Sequence, residues 1–234
     1  MPFLDPNTYP IWKAALLDGH TSAAFAADVG KILASIHMAT MDNPETAQHF
    51  ATDKIFHAIR LEPYLEATAR AHPDIASALL DLVAVTANNK KALVHGDVSP
   101  KNILMGPSGP VFLDAECAWY GDPAFDLAFC LNHFLLKCVH RPNSSEAYLD
   151  DFSSMSRSYM STITDPVRAQ SIETHAARLL PGLFLARVDG KSPVDYITQE
   201  EDKVRVRITA KALLSDPILN LEGIAVAWKR EWER

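Results

Sequence analysis

At 234 residues, 48% of them apolar and 22% charged, the chain has the composition of a folded globular protein with room for a sizeable core, far from that of a disordered one. Twenty-nine acids against 22 bases leave a net charge of −7, which removes the electrostatic basis for binding nucleic acid or an anionic membrane and suits cationic or neutral partners. Cysteines are odd in number, and Cys130 and Cys138 fall eight residues apart in one helical pattern, too distant to bridge, so with Cys117 they indicate a reduced, cytoplasmic chain.

The opening MPFLDPNTYP carries neither the cationic nor the apolar segment of a secretion signal. The spacing of Phe25, Val29, Ile32, Leu33 and Ile36 predicts an amphipathic helix over 22–40, with Thr21 or Ser22 as N-cap. Ile75, Leu79, Leu82 and Val83 predict another over 73–87. Between 91 and 120 the helical period gives way to the short apolar runs ALV, NILM and VFLDA, which predict short strands, and a GPSGP turn joins 102–105 to 111–113 as a hairpin. Leu127, Leu131, Phe134, Leu135 and Cys138 then repeat at three and four residues. The stretch 127–139 is broken by Asn132, His133 and Lys137 and stops short of a ~20-residue membrane span, so it predicts a buried helix. A helix over 166–187 with a kink at Pro181 and Gly182 follows, and Ile218, Leu221, Ala225, Trp228 and Trp232 stripe a final one. No repeat, low-complexity tract or shift in composition divides the chain. The expected architecture is one mainly helical α+β unit over 1–234 with a small β element.

The chemistry concentrates in LVHGDVSPKNILMGPSGPVFLDAE, which holds His95, Gly96, Asp97, Asn102, Asp114 and Glu116. A loop that leaves one strand through Asp97 and enters the next at Asn102 directs both side chains to one side. A second hairpin strand ending at Asp114 brings another carboxylate beside them. Asp and Asn oxygens, completed by phosphate and water, are what Mg²⁺ prefers, and phosphoryl transfer is suggested.

HGDVSPKNIL, then FLDAE, then GDPAFDLA, in this order between His95 and Ala128, resemble the catalytic core of the aminoglycoside phosphotransferase and choline kinase-like family, relatives of the protein kinases. The resemblance implies the C-terminal lobe of a protein-kinase-like fold, with the catalytic loop and metal-binding hairpin over 91–120. The implied activity is that of an ATP-dependent, Mg²⁺-requiring phosphotransferase acting on a small-molecule alcohol. By the same resemblance Asp97 accepts or orients the proton of the substrate hydroxyl, Asn102 and Asp114 hold Mg²⁺, Asp126 braces the catalytic loop from a helix start, and Glu116 supports the metal's surroundings.

Such a kinase also uses a glycine-rich phosphate cover and a strand lysine paired with a helix glutamate, and upstream of His95 only Gly19 and Gly30 occur. The expectation is therefore that the N-terminal lobe is absent and that residues 1–6 are the end of its hinge. This chain alone is then expected not to turn over ATP at a useful rate. The apolar surface near Met1 to Asp5 would favour self-association, a homodimer being one outcome. A non-catalytic binding or interaction module is the alternative reading, and a metal-dependent phosphohydrolase a weaker third. No readable code selects the acceptor among aminoglycosides, amino alcohols, amino acids and sugars.

Around this loop other residues have simpler readings. His95 is expected to brace the loop by hydrogen bonds, and Lys101 either touches phosphate or is solvated. Ser99 and Cys117 lack a visible general base, which sets covalent catalysis aside. Asp122 and Asp126 read as helix caps or dipole partners before they read as binders of a cationic substrate. Residues 185–197 read as a connection more than a cleft wall, and among Trp12, Trp119, Trp228 and Trp232 only Trp119 is placed to stack on a ligand.

Overall fold

Ser22 lies in extended backbone and its hydroxyl accepts the N–H of Phe25 at 3.3 Å, so the first long helix starts at Ala23. The computed structural model describes residues 4–232. In chain order its helices before the strands are α1 (Trp12–Leu17), α2 (Ala23–Thr40), α3 (Pro44–His49) and α4 (Asp53–Phe56), the last continuing through a π-helical stretch (His57–Glu66) into α5 (Ala67–Ala71), then α6 (Ala76–Asn88). The strands β1 (Ala92–Val94), β2 (Ile103–Gly106), β3 (Gly109–Phe112) and β4 (Trp119–Gly121) follow. The remaining helices are α7 (Pro123–His140), α8 (Ser145–Thr162), α9 (Pro166–Asp189), α10 (Glu200–Ser215) and α11 (Leu221–Trp232). The mainly helical α+β architecture read from the sequence is the one observed.

Helix α7 is buried along its whole length from Pro123 to Val139, because α8 packs on one side and α9 on another. One continuous core runs from Trp12 to Trp228, with Phe125, Phe129, Phe134, Phe152 and Phe184 among its largest members. Burying each such side chain contributes about 1.5–3 kcal/mol against the entropy of ordering the chain. Helix α2 crosses α8 at close range: a Cβ on Gly30 would stand 2.3 Å from the carbonyl oxygen of Met155, so only glycine permits this crossing. That changes the predicted face of α2. Ala26, Val29, Gly30, Leu33, Ala34 and His37 are buried, whereas Ile36 is exposed, because the small residues and not the largest ones meet α8.

The predicted hairpin is present, with Ile103 opposite Phe112 and Gly106 opposite Gly109. Its second strand ends at Phe112, short of Asp114. The run ALV pairs with β4, Val94 opposite Trp119, a strand of three residues too short to stand out in the sequence. Helix α9 runs as one helix from Pro166 to Asp189, with Pro181 inside it at the position of the predicted kink. Trp119 is a correction: it is buried, stacks on Phe56 at 4.1 Å and donates its indole N–H to Asp53 at 2.9 Å, leaving no face for a ligand. All three cysteines are free and buried. Of the predicted hinge, Met1, Pro2 and Phe3 lie outside the described residues. Among the described residues no helix is long and apolar enough to cross a membrane.

Candidate active site

The loop after β1 is held from beneath by a carboxylate in the first turn of α7. Asp126 Oδ2 accepts the backbone N–H of His95 at 2.7 Å and Oδ1 accepts that of Gly96 at 2.8 Å. Asp126 is fully buried, and its third contact is His37 Nε2 of α2 at 3.3 Å. The other His37 nitrogen meets the Tyr159 hydroxyl of α8 at 2.6 Å. Burial, reinforced by the carboxylates of Asp126 and Asp122, pushes the Tyr159 hydroxyl well above its ordinary value, so it keeps its proton and donates to Nδ1. Nε2 then carries the imidazole proton and donates to Asp126. Three helices thus set the height of one loop.

Gly96 has φ +78°, and a Cβ there would meet the Cys117 carbonyl oxygen at 2.7 Å. His95 is a brace: its Nδ1 accepts the N–H of Asp97 at 3.2 Å and its Nε2 donates to Leu113 O at 3.0 Å, which occupies both nitrogens. Asp122 caps α7 by accepting the N–H of Ala124 at 2.9 Å.

On the far side of Gly96 the loop presents Asp97, only 5% exposed. One of its oxygens is crowded: Oδ2 accepts Asn102 Nδ2 at 2.9 Å and lies 3.0 Å from both Arg60 Nη2 and Lys101 Nζ. The other, Oδ1, has only the Ser99 hydroxyl at 3.5 Å among the described residues. The carboxylate is fixed by one oxygen and open at the other. Arg60 projects from the π-helical stretch and also donates to Gly96 O and, at 3.1 Å, to Cys117 Sγ. Burial raises the Cys117 thiol, which disfavours its nucleophilic form.

Of the sequence-predicted oxygen donors, Asn102 bonds Asp97, and Asp114 follows the residue that pairs with Asn102. Asn102 uses its amide N–H₂ on Asp97, and no hydrogen bond to its Oδ1 exists among the described residues. Its carbonyl accepts the N–H of Leu113 at 2.9 Å, which brings Asp114 to the same end of the hairpin. Asp114 is exposed, unpaired among the described residues, and sits at φ 65°, a left-handed conformation that a non-glycine residue adopts at a cost. One amide oxygen and one carboxylate fit Mg²⁺, which takes few protein ligands and completes its shell with phosphate and water. Among the described residues no three His, Cys, Asp or Glu side chains gather as a metal cluster, so a site that keeps several acidic or imidazole ligands does not fit. Glu116 is exposed beside this end.

A cavity of ≈ 260 Å³ opens next to Asp97. Its walls include Ser99 and Lys101 of the loop, Arg60 and Tyr64 of the π-helical stretch, and Phe129, His133 and Lys137 of α7. Four-residue steps put the last three in a row on one helix face. The sequence shows His133 and Lys137 as polar interruptions of an apolar run, and their four-residue period is the signal that would have found them. The stretch 185–197 divides in two. Arg187, Ser192, Asp195 and Tyr196 line the cavity, whereas Asp189 pairs with Arg207 and His72, and Lys191 pairs with Glu62.

Lys137 is 1% exposed and has no carboxylate partner among the described residues. Burial, aided by the positive charges of Lys13 and Arg187, brings its ammonium down to about 7. The consequence for stability has a definite sign. Between pH 7 and about 10.4 the unfolded chain holds a proton on this lysine that the folded chain does not, so folding strengthens as pH rises through that window. Lys137→Met is therefore expected to raise the unfolding free energy by a few kcal/mol at pH 6, an advantage that shrinks toward pH 9.5. Urea unfolding of both proteins at the two pH values checks this. An equal difference at both would refute it.

The family model described as "Phosphotransferase enzyme family" matches residues 2–155. Methylthioribose kinase from Geobacillus thermodenitrificans is 33% identical over 93 residues, covering 39% of this chain and 23% of the relative. Methylthioribose kinase from Erwinia tasmaniensis is 26% identical over 166 residues, covering 59% of this chain and 41% of the relative. The chain thus spans less than half the length of the curated relatives it matches.

Proposed function

This chain belongs to the phosphotransferase enzyme family, and on that premise we propose that it supplies the acceptor side and the metal-binding hairpin of an ATP-dependent kinase for a small-molecule alcohol. The observation that carries the reading is Asp97: a buried carboxylate pinned through Oδ2, with Oδ1 meeting only the Ser99 hydroxyl among the described residues, in the wall of a cavity large enough for a small polyol. A hydroxyl placed at Oδ1 gives up its proton there while its oxygen forms a bond to the γ-phosphorus. The bond from that phosphorus to the bridging oxygen of ADP breaks, and ADP keeps the electron pair. Asn102 Oδ1 and Asp114 would hold Mg²⁺, which when bound offsets the charge of the phosphates. Arg60 and Lys101 hold the Asp97 carboxylate in register.

The chain is read as one catalytic lobe, the reduced, buried cysteines suiting the cytoplasm. Strands of the described residues form two two-stranded sheets, and neither contains a glycine-rich phosphate cover. The 234-residue chain by itself is therefore expected to turn over ATP slowly. A non-catalytic binding module remains the alternative, and it predicts no metal dependence.

The test is phosphoryl transfer from ATP to a panel of polyols by the protein expressed from its full gene, with and without Mg²⁺. Transfer that needs Mg²⁺ and that Asp114→Ala abolishes is expected, because the triphosphate then lacks its bridging ion. Metal dependence unchanged in Asp114→Ala would reject the assignment.

A further inference from the structure

Charge is unevenly matched in the acceptor cavity. Five cationic side chains line it, Lys13, Arg60, Lys101, Lys137 and Arg187, against the two carboxylates Asp97 and Asp195. Arg60 and Lys101 both pair with Asp97, and Lys13 reaches Asp195 at 3.5 Å. That leaves Lys137 and Arg187 with no carboxylate among the described residues. Arg187 spends Nη1 on the Tyr64 hydroxyl and Ser192 O, and its Nε has no partner. Two more buried polar atoms of the same walls are unpartnered, His133 Nε2 and the Tyr196 hydroxyl. Leaving such groups unpaired is costly to a fold, and three unpartnered atoms around one cavity, beside a buried lysine whose nearest partner is the Tyr196 ring at 5.1 Å, mark a ligand that satisfies them.

We propose that this end of the cavity binds an anionic group of the acceptor, so that the substrate class is a polyhydroxy carboxylate or phosphate, not a neutral sugar or a polyamine. This rests on the phosphotransferase reading for the fate of the hydroxyl, but not for the anion site itself. The row on α7 sets the arrangement. Arg60, the partner of Asp97, lies over the Phe129 ring at 5.8 Å, and Lys137 is eight residues further on, about two helical turns. The reacting hydroxyl and the anion therefore belong at opposite ends of the molecule. The chain's net charge of −7 argues for cationic partners only at long range. Inside the cavity the local charges decide.

Protonation follows the same geometry. Lys137 is faced by Lys13 of α1, Arg187 of α9, Asp195 and Tyr196 of the loop after α9, and Cys130 and His133 of its own helix. Burial, and then cations that outnumber the single carboxylate, keep the lysine partly neutral near pH 7. An arriving anion recharges it, so binding takes up protons.

Calorimetry on this chain without nucleotide decides the matter, using D-gluconate, D-glucitol 6-phosphate, D-glucitol and D-glucosamine. One or both anionic ligands are expected to bind at least about tenfold tighter than D-glucitol, with the carboxylate and phosphate arms showing which anion is preferred. Proton uptake near pH 7, read from buffers of different ionisation heat, is expected with them. Lys137→Met should remove the preference, and Tyr196→Phe, a milder change, should weaken it several-fold. Equal binding of D-glucitol or D-glucosamine, no binding of either anion, or a preference that survives in Lys137→Met would each overturn the proposal. Transfer to a neutral polyol would leave the kinase reading standing without the anion site. Anion binding with no transfer in the full protein would do the reverse.

Discussion

An Asp97→Asn enzyme is expected to keep its fold and its affinity for ATP while kcat falls by about 10²- to 10⁴-fold, the range of general acid–base assistance. The substitution preserves shape. Its amide oxygen can take the place of Oδ2, where Asn102, Arg60 and Lys101 converge, which leaves the amide N–H₂ at the position of Oδ1. That position has only the Ser99 hydroxyl among the described residues, and an amide there cannot take a proton from a hydroxyl that enters the cavity Asp97 lines. The loss is confined to the step in which the hydroxyl is activated, so kcat and kcat/KM for the acceptor should fall together with KM for ATP little changed. Steady-state kinetics of the full protein measure this. Near-normal turnover in Asp97→Asn would remove Asp97 from the chemistry and leave it a structural partner of Arg60.

How much of this was open to reading depends on the range over which each signal acts. Short-range signals are legible: Ser22 and Asp122 cap the helices they precede, the GPSGP turn joins the hairpin, and His95 braces its own loop. Asp97 and Asn102 are close in sequence and hydrogen-bonded to each other, and Asp114 follows the Leu113 that pairs with Asn102. Side chains delivered from distant helices are not legible. Arg60 reaches Asp97 from a π-helical stretch interrupted by Pro63, where neither helical period nor propensity gives a clear pattern. Helix α8 buries Tyr148, Phe152, Met155 and Tyr159 along a sequence rich in serine and aspartate, and its polar face hid the stripe. The exposed Ile36 misled for the opposite reason, since tight crossing at Gly30 favours small side chains over large ones. Lys137 looked like a break in an apolar run until the fold put Phe129, His133 and Lys137 along one cavity wall.

The greatest loss of stability is expected from Asp126→Ala, about 3–5 kcal/mol, because one carboxylate serves donors from three directions in a site with no water access. Its removal leaves the N–H groups of His95 and Gly96 and the Nε2 proton of His37 buried without acceptors. Asp126→Asn should recover only part of this, since an amide offers one accepting oxygen and turns its N–H₂ toward a backbone donor. The damage also travels outward. With His95 and Gly96 released, Asp97 loses the fixed height that Tyr159, His37 and Asp126 give it, and even a ~1 Å displacement of a reacting group lowers turnover about 10²-fold. Urea unfolding should show a lower midpoint at unchanged slope, and amide exchange should quicken first at residues 95 and 96. A stability loss under about 1 kcal/mol, or protection of those two amides equal to that of the parent protein, would mean that the loop is held by its own sequence and not by the helices beneath it.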